Sequence, residues 1–167
     1  SRLDWQQALH YIRQHSELNE VILSGGDPLT LPDKQLAWLI EQVVAVPHIV
    51  RLRIHTRLTV VIPQRITRDL LHTLTHSRLQ TVVVLHCNHP NEIDAAVSQA
   101  ISGLRSAGIT VLNQSVLLAS INDCSATLAA LSERLFAAGC LPYYLHALDK
   151  VRGAHHFAVD DQTAVQL

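Results

Sequence analysis

The 167-residue chain contains no methionine, even at its first position, and on its sequence it is expected to be a piece of a longer polypeptide. Its three cysteines, Cys87, Cys124 and Cys140, are odd in number and far apart. That pattern argues for reduced thiols rather than a disulfide framework, and none of the three has metal-ligand spacing. An excess of charge of one sign is missing too: the net charge is -1 and no run of Lys or Arg occurs. Without a basic stripe for phosphate backbones, no nucleic-acid partner is expected. No apolar run approaches a bilayer span, and Ser1-Arg2-Leu3-Asp4-Trp5 has no apolar signal region. The expectation is a soluble, cytoplasmic protein with no membrane partner. Low-complexity tracts are absent as well.

What is present suits one folded core. A chain 48% hydrophobic and 16% charged at this length is expected to form a single domain over residues 1–167. Apolar residues at three- and four-residue spacing predict helices near Asp4–His15, Asp33–Val44, Thr67–Thr75, Asn91–Ala107 and Ser125–Ala138. Pro32 suits a first helical turn, Thr67 and Ser125 suit N-caps, and Gly108 and Gly139 suit left-handed helix ends. Between the helices lie β-branched runs at Glu20–Leu23, Val50–Ile54, Gln80–Leu85, Thr110–Leu112 and Leu141–Leu145, read as parallel strands covered by helices. Five such alternations predict one α/β unit with right-handed crossovers. Leu58–Ile66, with Pro63 inside it, reads as an extended connection that folds over a site.

In parallel α/β sheets ligands lie at the carboxyl ends of the strands, and every predicted strand here ends in polar chemistry. The first runs straight into Ser24-Gly25-Gly26-Asp27-Pro28. Two adjacent glycines remove every Cβ from that turn, so a ligand can approach the main chain, and Pro28 stops the strand. The second ends in His55-Thr56-Arg57, the third in His86-Cys87-Asn88-His89-Pro90-Asn91-Glu92, the fourth in Asn113-Gln114-Ser115, and the fifth in His146-Ala147-Leu148-Asp149-Lys150. Simpler roles stand beside the functional ones: Asp27 anchoring its own turn, Arg57 pairing with a helix-borne carboxylate, and Asn91 capping a helix. His86 and His89 invite a metal reading among the eleven histidines, but no third ligand is placed by spacing.

The ordered motifs Ile22-Leu23-Ser24-Gly25-Gly26-Asp27-Pro28-Leu29, Arg53-Ile54-His55-Thr56-Arg57, Val60-Val61-Ile62-Pro63-Gln64-Arg65-Ile66-Thr67, Asn88-His89-Pro90-Asn91-Glu92, Leu112-Asn113-Gln114-Ser115-Val116-Leu117-Leu118 and Pro142-Tyr143-Tyr144-Leu145-His146 closely resemble the lysine 2,3-aminomutase family over nearly the whole chain. Within it they look most like the bacterial branch that isomerises lysine to β-lysine for modification of elongation factor P. The resemblance implies a radical S-adenosylmethionine (AdoMet) enzyme on a partial parallel β/α barrel, using a 4Fe-4S cluster and pyridoxal phosphate. By the same resemblance Ser24, Gly25, Gly26 and Asp27 would receive the AdoMet ammonium, and Thr56 and Arg57 its carboxylate. His86, Asn88, His89 and Gln114 would meet ribose and adenine, and Asp149 the side-chain ammonium of the lysine substrate. For Asp149 the alternative is a local pair with Lys150 or Arg152.

Two departures matter. No Cys-x3-Cys-x2-Cys run occurs, as though the chain began after the first barrel strand, and neither Lys34 nor Lys150 lies in the motif that carries the pyridoxal phosphate lysine. The chain alone is therefore expected to be inactive, although a parent protein would be an isomerase. Loss of a first strand would leave its neighbour's ladder open to self-association. Two rival readings are a metal-dependent barrel hydrolase built on strand-end histidines and a non-catalytic binding module.

Overall fold

A computed structural model describes residues 2–150 and 152–167. Five strands form one parallel sheet in simple sequential order: β1 (Glu20–Leu23), β2 (Arg51–Thr56), β3 (Gln80–His86), β4 (Thr110–Val116) and β5 (Leu141–His146). The sheet stays open, with β1 and β5 at its edges, so it is a partial barrel. The helices are α1 (Arg2–Gln14), α2 (Asp33–Val44), α3 (Leu58–Val61), α4 (Arg68–Thr75), α5 (Ala95–Ser106), α6 (Ser125–Ala138) and α7 (Asp161–Gln166). Among the described residues no helix is long and apolar enough to cross a membrane.

Alternation along each strand sorts the side chains onto two faces. Leu52 and Ile54 on β2, Val83 and Leu85 on β3, and Val111 on β4 are buried in one cluster with Leu36 and Ile40 of α2, Leu70 and Leu74 of α4, Ile101 and Leu104 of α5, and Leu131 and Leu135 of α6. Each such side chain contributes about 1.5–3 kcal/mol on leaving water, which makes this layer the main source of stability. The opposite face carries Glu20, Arg53, His55, His86 and Gln114, none of them fully buried. The strands were expected to be covered on a face by helices, and the alternation shows one face so covered.

Local signals hold where they are backbone chemistry. Thr67 caps α4 by accepting from the Leu70 N–H at 3.1 Å, and Gly108 and Gly139 adopt φ of 85° at helix ends. Three expectations shift. Cys124, not Ser125, is the N-cap of α6. The helix read from Asn91 is a 3-10 turn over Pro90–Glu92 followed by α5, which starts where the Asp94 carboxylate accepts from Val97 N–H. Leu58–Ile66, read as extended, winds into α3 and a 3-10 turn over Pro63–Arg65, pinned by Arg65 donating to the Leu29 and Leu31 carbonyls.

Candidate functional site

Parallel register carries the polar residues of the open face into rows. His55 lies beside Val84 and Leu112; one row higher, His86 aligns with Gln114 and Gln114 with Tyr144; above them Val116 aligns with His146. Three imidazoles and one amide therefore gather at the carboxyl end of the sheet. Burial, reinforced by the nearby Arg53 guanidinium, pushes the His55 imidazole below its ordinary value. Burial and then Arg57 do the same to His86. Both rings are thus held neutral near pH 7, and among the described residues the buried Nε2 atoms of His55 and His86 have no hydrogen-bond partner. Unpartnered buried nitrogens of this kind are costly unless a further group meets them.

Beside this rim the β1 exit turns through Gly25 at φ 78° and Gly26 at φ 62°. These are left-handed angles that favour glycine. Among the described residues a Cβ on either would meet nothing within 4 Å, so the loop's main chain faces open space. An open cavity of about 510 Å³ runs along the free edge of β1, lined by Trp5, Leu9, Ile22, Gly25, Gly26 and Pro28 among others.

The loop is held from behind by Asp27. Its Oδ1 accepts from Leu29 N–H at 3.0 Å, both oxygens accept from the Thr56 hydroxyl at 2.8 and 2.9 Å, and Oδ2 accepts from Arg57 N–H at 2.6 Å and Leu58 N–H at 3.1 Å. One carboxylate so joins the exits of β1 and β2. The β3 exit is organised in a similar way. Glu92 Oε1 accepts from the Asn88 and His89 N–H groups at 2.7 and 2.9 Å, and Oε2 accepts from Arg57 Nη2 at 2.7 Å. Arg57 Nη1 also donates to the His86 carbonyl at 3.0 Å.

Buried amides then tie β3 to β4. Asn113 accepts from Cys87 N–H at 2.9 Å and donates to the Cys87 carbonyl at 3.0 Å. Ser115 donates to the same carbonyl at 2.7 Å. Asn88 Oδ1 accepts from Val116 N–H at 2.8 Å, and Asn122 donates to the Asn88 and Val116 carbonyls while accepting from Leu118 N–H. The Cys87 thiol, enclosed by this network, is pushed up to about 12 by burial and the Glu92 charge.

Curated relatives match the chain throughout. L-lysine 2,3-aminomutase of Haemophilus influenzae is 55% identical over all 167 residues, which span 49% of that protein. L-lysine 2,3-aminomutase of Escherichia coli is 54% identical over the same 167 residues, again 49% of its length. The chain is a relative of the L-lysine 2,3-aminomutases. It spans about half the length of the curated aminomutases it matches. No protein-family model matches it. The solved structure of native anSMEcpe with bound AdoMet and Kp18Cys peptide shares the fold at a TM-score of 0.67 and 11% identity, over 93% of this chain and 47% of that one.

The residues that the aminomutase resemblance assigns to AdoMet fall into two groups. Ser24, Gly25 and Gly26 are exposed at the rim, and His86 and Gln114 face the open side of the sheet. Asp27, Thr56, Arg57, Asn88 and His89 are brought to the same end, but their side chains are engaged by the protein: His89 Nδ1, for instance, accepts from Asn91 N–H at 3.2 Å. Asp149 is exposed in the segment after β5, and among the described residues it forms no ion pair with Lys150 or Arg152. His55 and His146 were visible only as strand-end residues. Glu92 and Asn113 stood in the motifs without a role, and Asn122 carried no sequence signal at all. Among the described residues no three His, Cys, Asp or Glu side chains converge as metal ligands.

Proposed function

We propose that this chain is the core of a lysine 2,3-aminomutase, an isomerase converting L-lysine to β-lysine by a radical 1,2-amino shift, and that its strand-end rim holds AdoMet. The observation that carries the reading is the 55% identity to an L-lysine 2,3-aminomutase over all 167 residues. The residues fit AdoMet in kind. The exposed Ser24-Gly25-Gly26 main chain offers acceptors for an ammonium with no Cβ in the way, while the unpartnered Nε2 atoms of His55 and His86 and the Gln114 amide offer polar partners for a ribose and a purine. Asp27, Thr56 and Arg57 serve this pocket mainly by shaping it, because their groups are spent on one another; the Arg57 guanidinium retains donors that can meet a carboxylate. Bound here and given one electron by a reductant that these residues do not hold, AdoMet would supply the radical that begins the amino shift. Asp149 would supply the counter-charge for the lysine side-chain ammonium.

The 4Fe-4S cluster and pyridoxal phosphate do not fit the residues in hand. Cys87 and Cys140 are buried apart from the exposed Cys124, and Lys34 lies on α2. No step is assigned through either group, and the 167 residues alone are proposed to be inactive. Identities of 55% and 54% to the Haemophilus influenzae and Escherichia coli aminomutases, against 35% to that of Clostridium subterminale, support the branch associated with elongation factor P modification.

Equilibrium dialysis of the chain with AdoMet tests the pocket: saturable binding is expected, lost in Gly26→Ala, whose Cβ would project into the open approach. A chimaera carrying the flanking segments of the Escherichia coli relative tests the activity, with anaerobic formation of β-lysine expected. A chain that binds no AdoMet overturns the pocket, and a folded, cofactor-loaded chimaera that makes no β-lysine overturns the reaction.

A further inference from the structure

We propose that Glu92 is a positioning residue of the rim, holding the β3 exit turn and the Arg57 guanidinium in one arrangement so that His86 presents its free nitrogen to the ligand. The proposal rests on the AdoMet reading above.

A carboxylate that merely capped the 3-10 turn over Pro90–Glu92 would need one oxygen, and Oε1 does that work by accepting from the Asn88 and His89 N–H groups. Oε2 is committed elsewhere, to Arg57, 35 residues earlier on a different strand exit. Arg57 in turn donates to the carbonyl of His86 itself, and its backbone N–H is held by Asp27. The path from glycine loop to Asp27, Arg57, Glu92 and the β3 turn contains no water-length gap, its bonds running from 2.6 to 3.0 Å. At its ends it adjoins residues open toward the rim: Gly25 and Gly26 precede Asp27, and the His86 carbonyl that Arg57 holds belongs to the residue whose Nε2 is unpartnered among the described residues. Charge-assisted bonds of this length restrict geometry as well as adding energy. Arg57 is thus held at two points, its backbone N–H by Asp27 and its guanidinium by Glu92, which fixes the cation in the scaffold.

Glu92→Gln separates the two roles. An amide oxygen can still accept from Asn88 and His89 N–H, so the turn is kept, but the amide nitrogen cannot accept from Arg57. The wild type and the variant would be compared by thermal unfolding, by equilibrium dialysis with AdoMet, and by NMR titration of the His86 ring nitrogens. The expected result is an unfolding midpoint within a few degrees of wild type, an AdoMet Kd raised about tenfold, and a His86 titration moved further down, because the Glu92 charge is what opposes the Arg57 effect on that ring. Equal affinity with an unmoved His86 titration would show that Glu92 is only a cap and overturn the proposal. If Glu92→Gln unfolds, Arg57→Gln removes the same pair from the other side while leaving the cap; it too should weaken AdoMet binding, and unchanged affinity would overturn the proposal. In a folded set, the double variant should be no weaker than the weaker single one, and additive losses would refute the coupling. Should the wild type bind no AdoMet, the earlier reading fails, and the His86 titration alone decides the role of Glu92.

Discussion

Asn122→Asp is nearly isosteric, and the structure assigns it a large, pH-dependent cost. Asn122 is 0% exposed and uses its whole amide: Oδ1 accepts from Leu118 N–H at 2.7 Å, and Nδ2 donates to the carbonyls of Asn88 at 2.8 Å and Val116 at 2.9 Å. An ionised carboxylate in that place would set an anionic oxygen against two carbonyl oxygens without water. The alternative is to bind a proton, which keeps the bond from Leu118 and a bond to one carbonyl but gives up the other. Holding an aspartic acid neutral against an ordinary value near 3.9 costs about 4 kcal/mol at pH 7 and about 1.5 kcal/mol at pH 5. The lost hydrogen bond adds about 1 kcal/mol at either pH. Because the variant's folded-state carboxyl titrates above its unfolded one, the penalty is present above the unfolded value and fades as pH falls toward it. Urea unfolding of wild type and variant at both pH values should therefore give a difference of about 3–5 kcal/mol at pH 7, shrinking by more than 2 kcal/mol at pH 5. Comparing the two proteins at each pH cancels every other titrating group. A difference below about 1 kcal/mol at pH 7, or one independent of pH, would refute the buried-amide account.

Thiol accessibility gives an independent check: Cys124 is exposed and its thiol is lowered by hydrogen bonding from Thr127, whereas burial pushes Cys87 and Cys140 to about 12. Brief alkylation of the native chain at pH 7.5 should modify Cys124 alone by intact mass, with all three modified in denaturant, and fast native labelling of Cys87 would count against the buried network. Acid sensitivity is the second: His55 and His86 both titrate below the ordinary 6.5 in the folded chain, so the unfolded chain takes up protons first as pH falls through 6.5. Urea midpoints should drop between pH 7.5 and pH 5.5, and by less in His86→Gln; a midpoint that rises on acidification would contradict the burial assigned to these rings.

Several elements were legible in the sequence to the residue. β1 at Glu20–Leu23, α2 at Asp33–Val44 and α6 at Ser125–Ala138 fall where the periodicity predicts, because their boundaries are written in local chemistry: Pro28 ends the run after β1, and Gly139 ends α6 in a left-handed turn. β4 was read too short, as Thr110–Leu112. Its polar residues Asn113, Gln114 and Ser115 suggested a loop, yet the ladder with β3 continues to Gln114, and Asn113 and Ser115 are buried because the Cys87 peptide needs partners on that face. No window along the chain contains that demand, which arises 26 residues away. The rim was legible as a set of strand ends, since parallel topology alone brings such ends together. Which of its residues face outward was not. Asp27 and Arg57 look like ligand groups in one dimension, and only the paired exits of β1, β2 and β3 show them bonded to one another.

That division explains how a site can tolerate so many polar residues without collapsing on itself. A rim of free carboxylates, amides and imidazoles would satisfy its groups at random, since each unpaired buried group costs about 1–3 kcal/mol. Here the ionised groups are consumed first: Asp27 takes four donors and Glu92 three, with Arg57 shared between them. The groups left facing the open side are those that can stay neutral, the rings of His55 and His86 beside the Gln114 amide, together with glycine main chain that has no side chain to compete. Apart from the spare Arg57 donors, the charge that shapes the rim is thereby separated from the surface offered to a ligand. A change in the ionised layer should disturb the neutral one through geometry and field, and that is why Glu92→Gln is expected to alter the position and protonation of His86 without supplying or removing a single ligand-facing atom.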